Sequence, residues 1–536
     1  MTAGRLGGSA IAALACLAFA AGAAGTAERA KLPKRAVESG YVAATGDTIA
    51  VHGGGDLQAA LDAAGPGDEI VLDAGATFTG NFTLPATAAG DPIVVRSSDL
   101  ADLPPEGQRV SPADAADMPR IESPDNLGAV TTEAGASEWR FVGIEFGVAP
   151  AVPLNTGIVR LGDGSETREE DLPSDIVLDR CWLHGNPTAD ARRGVALNGR
   201  REAVVDSYLS DFHEVGGDAQ AIAGWAGPGP FKVVGNHLEG AAENVMFGGA
   251  DPRIDGIVPS DIEFRRNHLV KPLSWRVGDP SYAGVHWTVK NLFELKNARR
   301  VLVEGNLLEN VWGDAQAGFA FNLKSANQDG TAPWSGTQDV TVVNNVVRHA
   351  ASAVGVVGRD PGTQRLTRRV TVSNNLFEDI DGDDWDGAGT FLQVVSSPPP
   401  GDRTPKGPED LIVEHNTALN DGSTVIADGF PADDFVFTAN IAGHGPYGVK
   451  GSGESAGEPT LKAYFPGYRF RFNALVGGQA SLYPPRNFFP ATWDDVGLED
   501  LEGGDYRLAP SSPLAGQAND GSDPGADIDA IEAATG

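Results

Sequence analysis

Cysteine is nearly absent from this chain, with two residues in 536, at positions 16 and 181. Cys16 sits inside an N-terminal apolar run, so Cys181 stands alone once that run is removed, and an intrachain disulfide is excluded. Its neighbours in IVLDRCWL are mostly apolar, which makes it buried filler rather than a nucleophile. Basic residues are also scarce. Forty Lys and Arg face 73 Asp and Glu, a formal charge of −33, and no continuous basic surface is available to phosphates, which argues against nucleic acid as a partner. The same acidity disfavours a polyanionic ligand unless a local basic patch or a bound cation receives it. Long apolar runs are missing too, except near 11–20.

That one run follows an early Arg and precedes small residues, with A-x-A-like sites ending at Ala23 or Ala27. This is the layout of a secretory signal, and the run is too short for a confident membrane span. The reading is a signal peptide over 1–27, a linker over 28–49 and one domain over 50–530. The mature chain is expected to be secreted or periplasmic, with no integral membrane segment. No Gly-x-Ser-x-Gly elbow, zinc spacing or phosphate loop occurs. The acidic run DGDDWDG (381–387) fails the EF-hand template, because Trp385 takes a ligand position and Leu392 replaces the closing Glu. It offers at most a loose calcium site, and no metal ligands are assigned.

What the chain has in abundance is glycine (69) and proline (36), which favour tight turns over long helices. It also repeats a phrase. VLVEGNLLENV (301–311), VTVVNNVVRHA (340–350) and VTVSNNLFEDI (370–380) share alternating apolar residues around one slot. Along the chain that slot holds Cys181, Ser207, Asn236, Asn267, Asn306, Asn345, Asn375, Asn416, Asn440 and Asn473, separated by 24 to 41 residues. A period in this range marks a solenoid. The period-two pattern in short runs between Gly, Asn, Asp and Pro marks strands. The expectation is an all-β, right-handed parallel β-helix whose coils stack about 4.8 Å apart. Asn in the shared slot would tolerate a left-handed turn and bond to its equivalent one coil away. Residues 56–64, DLQAALDAA, read as a capping helix with Asp56 as N-cap and Gly65-Pro66-Gly67 as its stop. The tail after about 500 reads as a last strand and an irregular cap, and 397–408 as a surface loop.

GGDLQAALDAAGPGDEIVLDAGATFTGNFTLP, the Asn-slot coils and the closing YRLAPSSPLAG…DPGADIDA together resemble right-handed parallel β-helix proteins of the pectate-lyase-like superfamily, over most of 50–530. ENVMFGGADP, SDIEFRRNHLVKPLSWR and KNLFELKNARRVLVEGN further resemble an uncharacterised group of secreted bacterial β-helix proteins. The superfamily holds polysaccharide lyases, glycoside hydrolases, esterases, epimerases and inert adhesins, so the resemblance implies a fold before an activity.

Aligning the strand before each repeat places Phe293, Leu295, Phe321 and Leu323 inward and Glu294, Lys296, Asn322 and Lys324 outward. Lys296 and Lys324 then share a slot on successive coils, about 5 Å apart at the backbone, with Gly248 before them and Val357 and Val395 after. Stacked ammoniums disfavour each other's charge, so one lysine is expected to have a lowered pKa and to act as a base. β-Elimination of a uronate needs that base and a cation to stabilise the carboxylate. The arrangement resembles secreted lyases of the chondroitinase-B and alginate-lyase type, which implies calcium ligands near the Lys. Here Lys324 replaces their Arg and Asn291 stands where an acid belongs. The candidate catalytic residues are Lys296, Lys324 and Glu294. Arg192, Arg193, Glu243, Asn244, Lys290 and Trp225 are the candidate substrate-binding residues. The expected partner is a uronic-acid polysaccharide. A glycoside hydrolase and a non-catalytic carbohydrate-binding module remain open alternatives.

Overall fold

The computed structural model describes residues 27–88, 90–360, 362–397 and 406–536. The expected leader lies outside them, apart from Ala27, as does most of the 397–408 loop. Three sheets of 14, 13 and 12 strands run along the molecule, every pairing within them parallel. The chain visits each sheet once per coil, which is a parallel β-helix. The first sheet runs from Thr48–Val51 to Arg469–Arg471, the second from Thr77–Thr79 to Ala474–Val476, and the third from Phe82–Leu84 to Val449–Gly451. Among the described residues no helix is long and apolar enough to cross a membrane.

The repeated slot lies at the corner between the first two sheets. There the backbone N–H and the Nδ2 of Asn306 both donate to Asn345 Oδ1, at 2.9 and 2.8 Å. Asn345 does the same to Asn375, and the pattern continues through Asn416, Asn440 and Asn473 to Asn487, one rung beyond the sequence reading. Each Nδ2 also donates to a carbonyl of the neighbouring coil, as Asn345 does to Val303. The left-handed residue is not the Asn, as expected, but the one before it: Gly305, Asn344, Asn374, His415, Ala439 and Phe472 all have positive φ. The reason is geometric. The corner turns at the preceding residue, which leaves the Asn side chain directed into the coil, where backbone groups need partners. Cys181 occupies the same slot at the ladder's start, and burial pushes its thiol up to about 12.

Phe231, Phe247, Phe264, Phe293, Phe321, Phe377 and Phe391 are all buried in the core that the three sheets enclose. The helix Leu57–Ala63 covers the first coil. Asp56 caps it by accepting from Ala59 N, and Leu57, Ala60 and Leu61 enter the core. The other end is closed by a second helix, Glu458–Tyr464, through Leu461 and Phe465. The tail after 500 departs from the sequence reading. It forms an antiparallel pair, Leu498–Asp500 with Asp505–Leu508. The helix Ile528–Thr535 follows, and Ile528 and Ile531 pack on Val346 and Leu376 along the flank. With the coil end already covered, its apolar face finds burial on the side of the second sheet.

One core position is anomalous. Glu202 pairs with Phe231 in the inward row of the first sheet and is fully buried. Its Oε2 accepts from Gly199 N at 3.1 Å, while Oε1 has no hydrogen-bond partner. Burial pushes its carboxyl well above the usual range. The folded chain therefore holds a proton that the unfolded chain releases above about pH 4.3, and stability falls as pH rises from there. Glu202→Gln should raise the thermal midpoint by a few degrees at pH 8 relative to wild type, and the gain should shrink at pH 4. A gain independent of pH would show that the proton is not the cause.

Candidate active site on the third sheet

The strands of the third sheet do not alternate from their first residue. Leu292 and Phe293 both enter the core, as do Ala320 with Phe321 and Ala353 with Val354. This double inward step leaves the first residue of a strand on the outside, together with the fourth and sixth. Asn291, Glu294 and Lys296 thus share one face. Glu243 pairs with Asn291, Met246 with Glu294, and Leu295 with Leu323, so Lys296 and Lys324 fall at the same level on adjacent coils. Val357 pairs with Lys324 and Val395 with Val357.

Glu294 is the centre of this face. It is fully buried although it points away from the core. Its Oε1 lies 3.6 Å from Lys296 Nζ and 3.5 Å from Lys324 Nζ, and its Oε2 accepts from Asn291 Nδ2 at 2.8 Å. Asn291 is itself fixed, donating to Gln316 Oε1 and accepting from Phe319 N. Lys324 also faces Asp360 Oδ2 at 3.4 Å. Burial disfavours the Lys324 ammonium, yet Glu294 and Asp360 outweigh it and push its pKa above the ordinary lysine value. The expectation that stacking would lower a lysine pKa is therefore reversed at Lys324. A shared carboxylate screens the two ammoniums from each other.

One coil earlier, Glu243 is likewise fully buried. Its Oε2 accepts from Gln220 Nε2 at 2.8 Å, and its Oε1 lies 4.0 Å from Lys290 Nζ, which donates to Asp218. Burial and then the Glu294 charge push Glu243 up to about 7, against the pull of Lys296 and Lys290. Two carboxyls in electrostatic contact are held in different environments, which is how acid and base roles are separated.

The face is flanked at both strand ends. On the N-terminal side, Trp275 and Trp287 from the 273–289 insertion pack around His213, whose ring stacks on Trp287 at 3.7 Å. Burial pushes His213 down to about 4, and neither ring nitrogen has a hydrogen-bond partner. On the C-terminal side two loops are tied together. Asp251 accepts from Thr331 N and Ala332 N, and Trp334 Nε1 donates to Ile257 O. Access narrows accordingly: the Lys296 side chain is 9% exposed and that of Lys324 19%.

The other sequence candidates divide. Lys290 and Glu243 join the cluster. Arg192 is engaged by Glu214 through two hydrogen bonds of 2.7 and 2.6 Å. Arg193 lies over the Trp225 ring at 5.1 Å, further along the same sheet. Asn244 turns into the coil, where it donates to Leu238 O and Val270 O and accepts from the buried Lys271. Sequence reasoning missed Gln220, Gln316, Asp218 and Asp360. Gln220 carried a signal, since QAIAG, ENVMF and NLFEL align from their first residues once the double inward step is known. Loop residues such as Asp360 have no register to betray them.

The outer face continues beyond the cluster. Glu294, Met246, Ala223, Ala196, Arg160 and Thr131 form one row. A cavity of about 540 Å³ lined by Thr131, Thr132, Arg160, Asp163 and Glu166 opens four strand spacings from Glu294, or about 19 Å.

For metal, Asp379, Asp381 and Asp384 bring carboxylate oxygens within 4.8 Å of one another. Part of that capacity is already used, because Asp379 accepts from His349 and Trp385, and Asp381 from two backbone N–H groups. The Glu294 cluster does not fit calcium: its carboxylate already faces two ammoniums and an amide donor, where a calcium ion needs several oxygens.

Gly248 bounds the lysine slot with φ of 93°, and a Cβ there would come 2.6 Å from Asn297 N and 2.9 Å from Lys296 Cβ. Gly248→Ala should therefore displace Lys296, seen as a shifted Lys296 side chain in a crystal structure of the variant. An unmoved Lys296 would show that the slot accepts a side chain.

No family model matches the chain, and no curated protein sequence matches it. Solved structures do. An alginate lyase from a Paenibacillus species aligns over 79% of this chain and 98% of its own, at 13% identity and a TM-score of 0.30. A mannuronic-acid-specific polysaccharide lyase from human gut microbiota aligns over 82% and 91%, at 12% identity and 0.48. The catalytic unit of an α-1,3-glucanase from Streptomyces thermodiastaticus aligns over 84% and 71%, at 13% identity and 0.49. Each is a likeness of fold.

Proposed function

We propose that the chain is an exported, polysaccharide-active enzyme that cleaves a uronic-acid-containing polymer by β-elimination at the Glu294, Lys296 and Lys324 cluster. The observation that carries this reading is the fully buried Glu294 carboxylate, directed out of the core and shared between two lysines on adjacent coils. Of the two, Lys324 is placed to receive a further carboxylate, and Lys296 stands beside it on the adjacent coil. Lys324, held protonated by Glu294 and Asp360, would neutralise the uronate carboxylate as charge develops at C5. Lys296, in its neutral form, would take the C5 proton. The C4–C5 double bond then forms as the C4–oxygen bond breaks, and the leaving oxygen must gain a proton. Glu243, one coil away and pushed up to about 7, is an acid of suitable strength. Rate should fall as pH rises past about 7 and Glu243 loses its proton.

A second reading rests on the same Glu243. A protonated carboxyl beside one held by two ammoniums is also the acid and base pair of a glycoside hydrolase. Mass spectrometry of the oligosaccharide products separates the two. Elimination gives a new non-reducing end lighter by one water than the corresponding hydrolysis product. Products of hydrolytic mass alone would overturn the lyase assignment, and no product from any uronate polymer would favour a binding role.

A further inference from the structure

Residues 28–41 lie as an extended arm across the outer face of the first sheet. Glu28 N donates to Asp410 Oδ1 at 2.9 Å, Lys31 N to Asp339 Oδ1 at 3.2 Å, and Lys34 N to Asp261 Oδ1 at 3.0 Å. Farther along, Lys232 Nζ donates to Ser39 Oγ and Arg140 to Gly40 O. The register is a match of two repeats. Three residues of extended, polyproline-like chain advance about 9.3 Å, and two coils advance about 9.6 Å. The three aspartates stand two coils apart in one column, with Arg300 and Arg369 between them, all five at positive φ.

The column alternates acid and base, and the alternation supplies each carboxylate with a guanidinium from the next coil. Asp261 receives Arg300 at 2.5 and 2.9 Å, and Arg35 from the arm as well. Asp339 receives Arg369 at 2.5 and 2.8 Å. At Asp410 the pattern breaks. Glu409 bridges to Asp433, so the next residue in the column is Asp434, another acid at positive φ. Among the described residues, the one cation within 4 Å of Asp410 is Arg368, at 3.6 Å. The Asp410 side chain is nonetheless 8% exposed, a desolvated carboxylate with less compensation than either equivalent. The atom placed where a second cation belongs is Glu28 N.

We propose that the Ala27–Glu28 peptide bond is a maturation site, and that the α-ammonium released at Glu28 is the cation that completes the Asp410 position. A leader peptidase of the export route would catalyse the cleavage. Water adds its hydroxyl to the Ala27 carbonyl carbon, the C–N bond breaks, and the Glu28 nitrogen leaves as an amine that takes up a proton. Cleavage at Ala23 would instead leave a neutral amide at Glu28.

The charges around this amine are Asp410, Arg368, Arg369, Asp434 and the carboxylate of Glu28 itself. Burial pushes the Asp410 carboxyl up despite its Glu28 and Arg368 contacts, whereas in Asp261, where burial is opposed by Arg300, Lys34 N and Arg35, the pKa falls to about 2. An amine paired with Asp410 is raised above the usual α-amino value of about 7.7–8.0. Its stabilisation is complete below that range and is lost as pH rises through the folded value.

The test begins with the full chain in a host that exports it and N-terminal sequencing of the secreted product. The first residue should be Glu28, and a start at Ala24 or elsewhere would overturn the proposal. The rate of α-amine acylation at pH 8 is then compared in wild type and Asp410→Asn. Wild type should react about fivefold more slowly, because one pKa unit above about 8 cuts the unprotonated fraction at that pH from about one half to about one tenth. If the variant fails to accumulate, native and urea-unfolded wild type supply the same ratio. Equal rates in either comparison would contradict the charge pairing.

Discussion

Lys296→Ala should lower kcat/KM on a uronate polymer by about 10²- to 10⁴-fold, the range that a positioned acid or base contributes. The residue is on the outer face, its ammonium 3.6 Å from Glu294, so its loss removes the base while leaving the core row of Phe293 and Leu295 untouched. Lys324→Ala should behave differently. It removes the cation that neutralises substrate, so KM should rise along with any fall in kcat. Glu294→Gln tests the shared carboxylate. It frees both ammoniums to repel each other inside a site of low exposure, and the pH profile should shift toward lower pH as a lysine gives up its proton more readily. If Lys296→Ala retained wild-type kcat/KM while Glu243→Gln lost it, the chemistry would belong to the carboxyl pair.

Asn345→Ala should destabilise the fold by about 3–5 kcal/mol, read from the denaturant midpoint. Its Oδ1 accepts twice from Asn306, and its Nδ2 donates to Val303 O, Val343 O and Asn375 Oδ1. All of these lie at a fully buried residue. Deleting the amide strands several donors and acceptors at once, and each buried orphan costs about 1–3 kcal/mol. Asn487→Ala makes the control. It ends the ladder and is partly exposed, so water can reach the four groups it would strand, against five at Asn345, and its cost should be smaller. Equal effects would mean that the ladder acts through something other than its hydrogen bonds.

The two predictions draw on parts of the molecule that were unequally visible in the sequence. The ladder was legible because every coil must satisfy the same corner, so one residue type recurs there. Lys296 and Lys324 were legible because alternation holds from Phe293 onward. Glu243 was a candidate without a placement on the strand, since the two consecutive inward residues that follow it break the period of two. Gln220 was lost for the same reason. Asp360 and the 248–257 and 325–336 loops could not be placed, because loop residues are fixed by contacts between coils rather than by local pattern. The arm at 28–41 and the tail helix Ile528–Thr535 were read as a linker and part of an irregular cap. Neither carries the repeat, and their positions depend on acidic and apolar surfaces that exist only after the coils have stacked.

The single most direct measurement is the ultraviolet absorbance of purified wild-type protein incubated with a panel of uronic-acid polysaccharides, with and without calcium. A rise from newly formed unsaturated uronate, present in wild type and absent in Lys296→Ala, is the predicted result. It should not require calcium, because Glu294 and its two lysines leave no calcium site at the chemistry. A flat trace on every polymer while reducing ends accumulate would contradict elimination and transfer the site to Glu243 and Glu294.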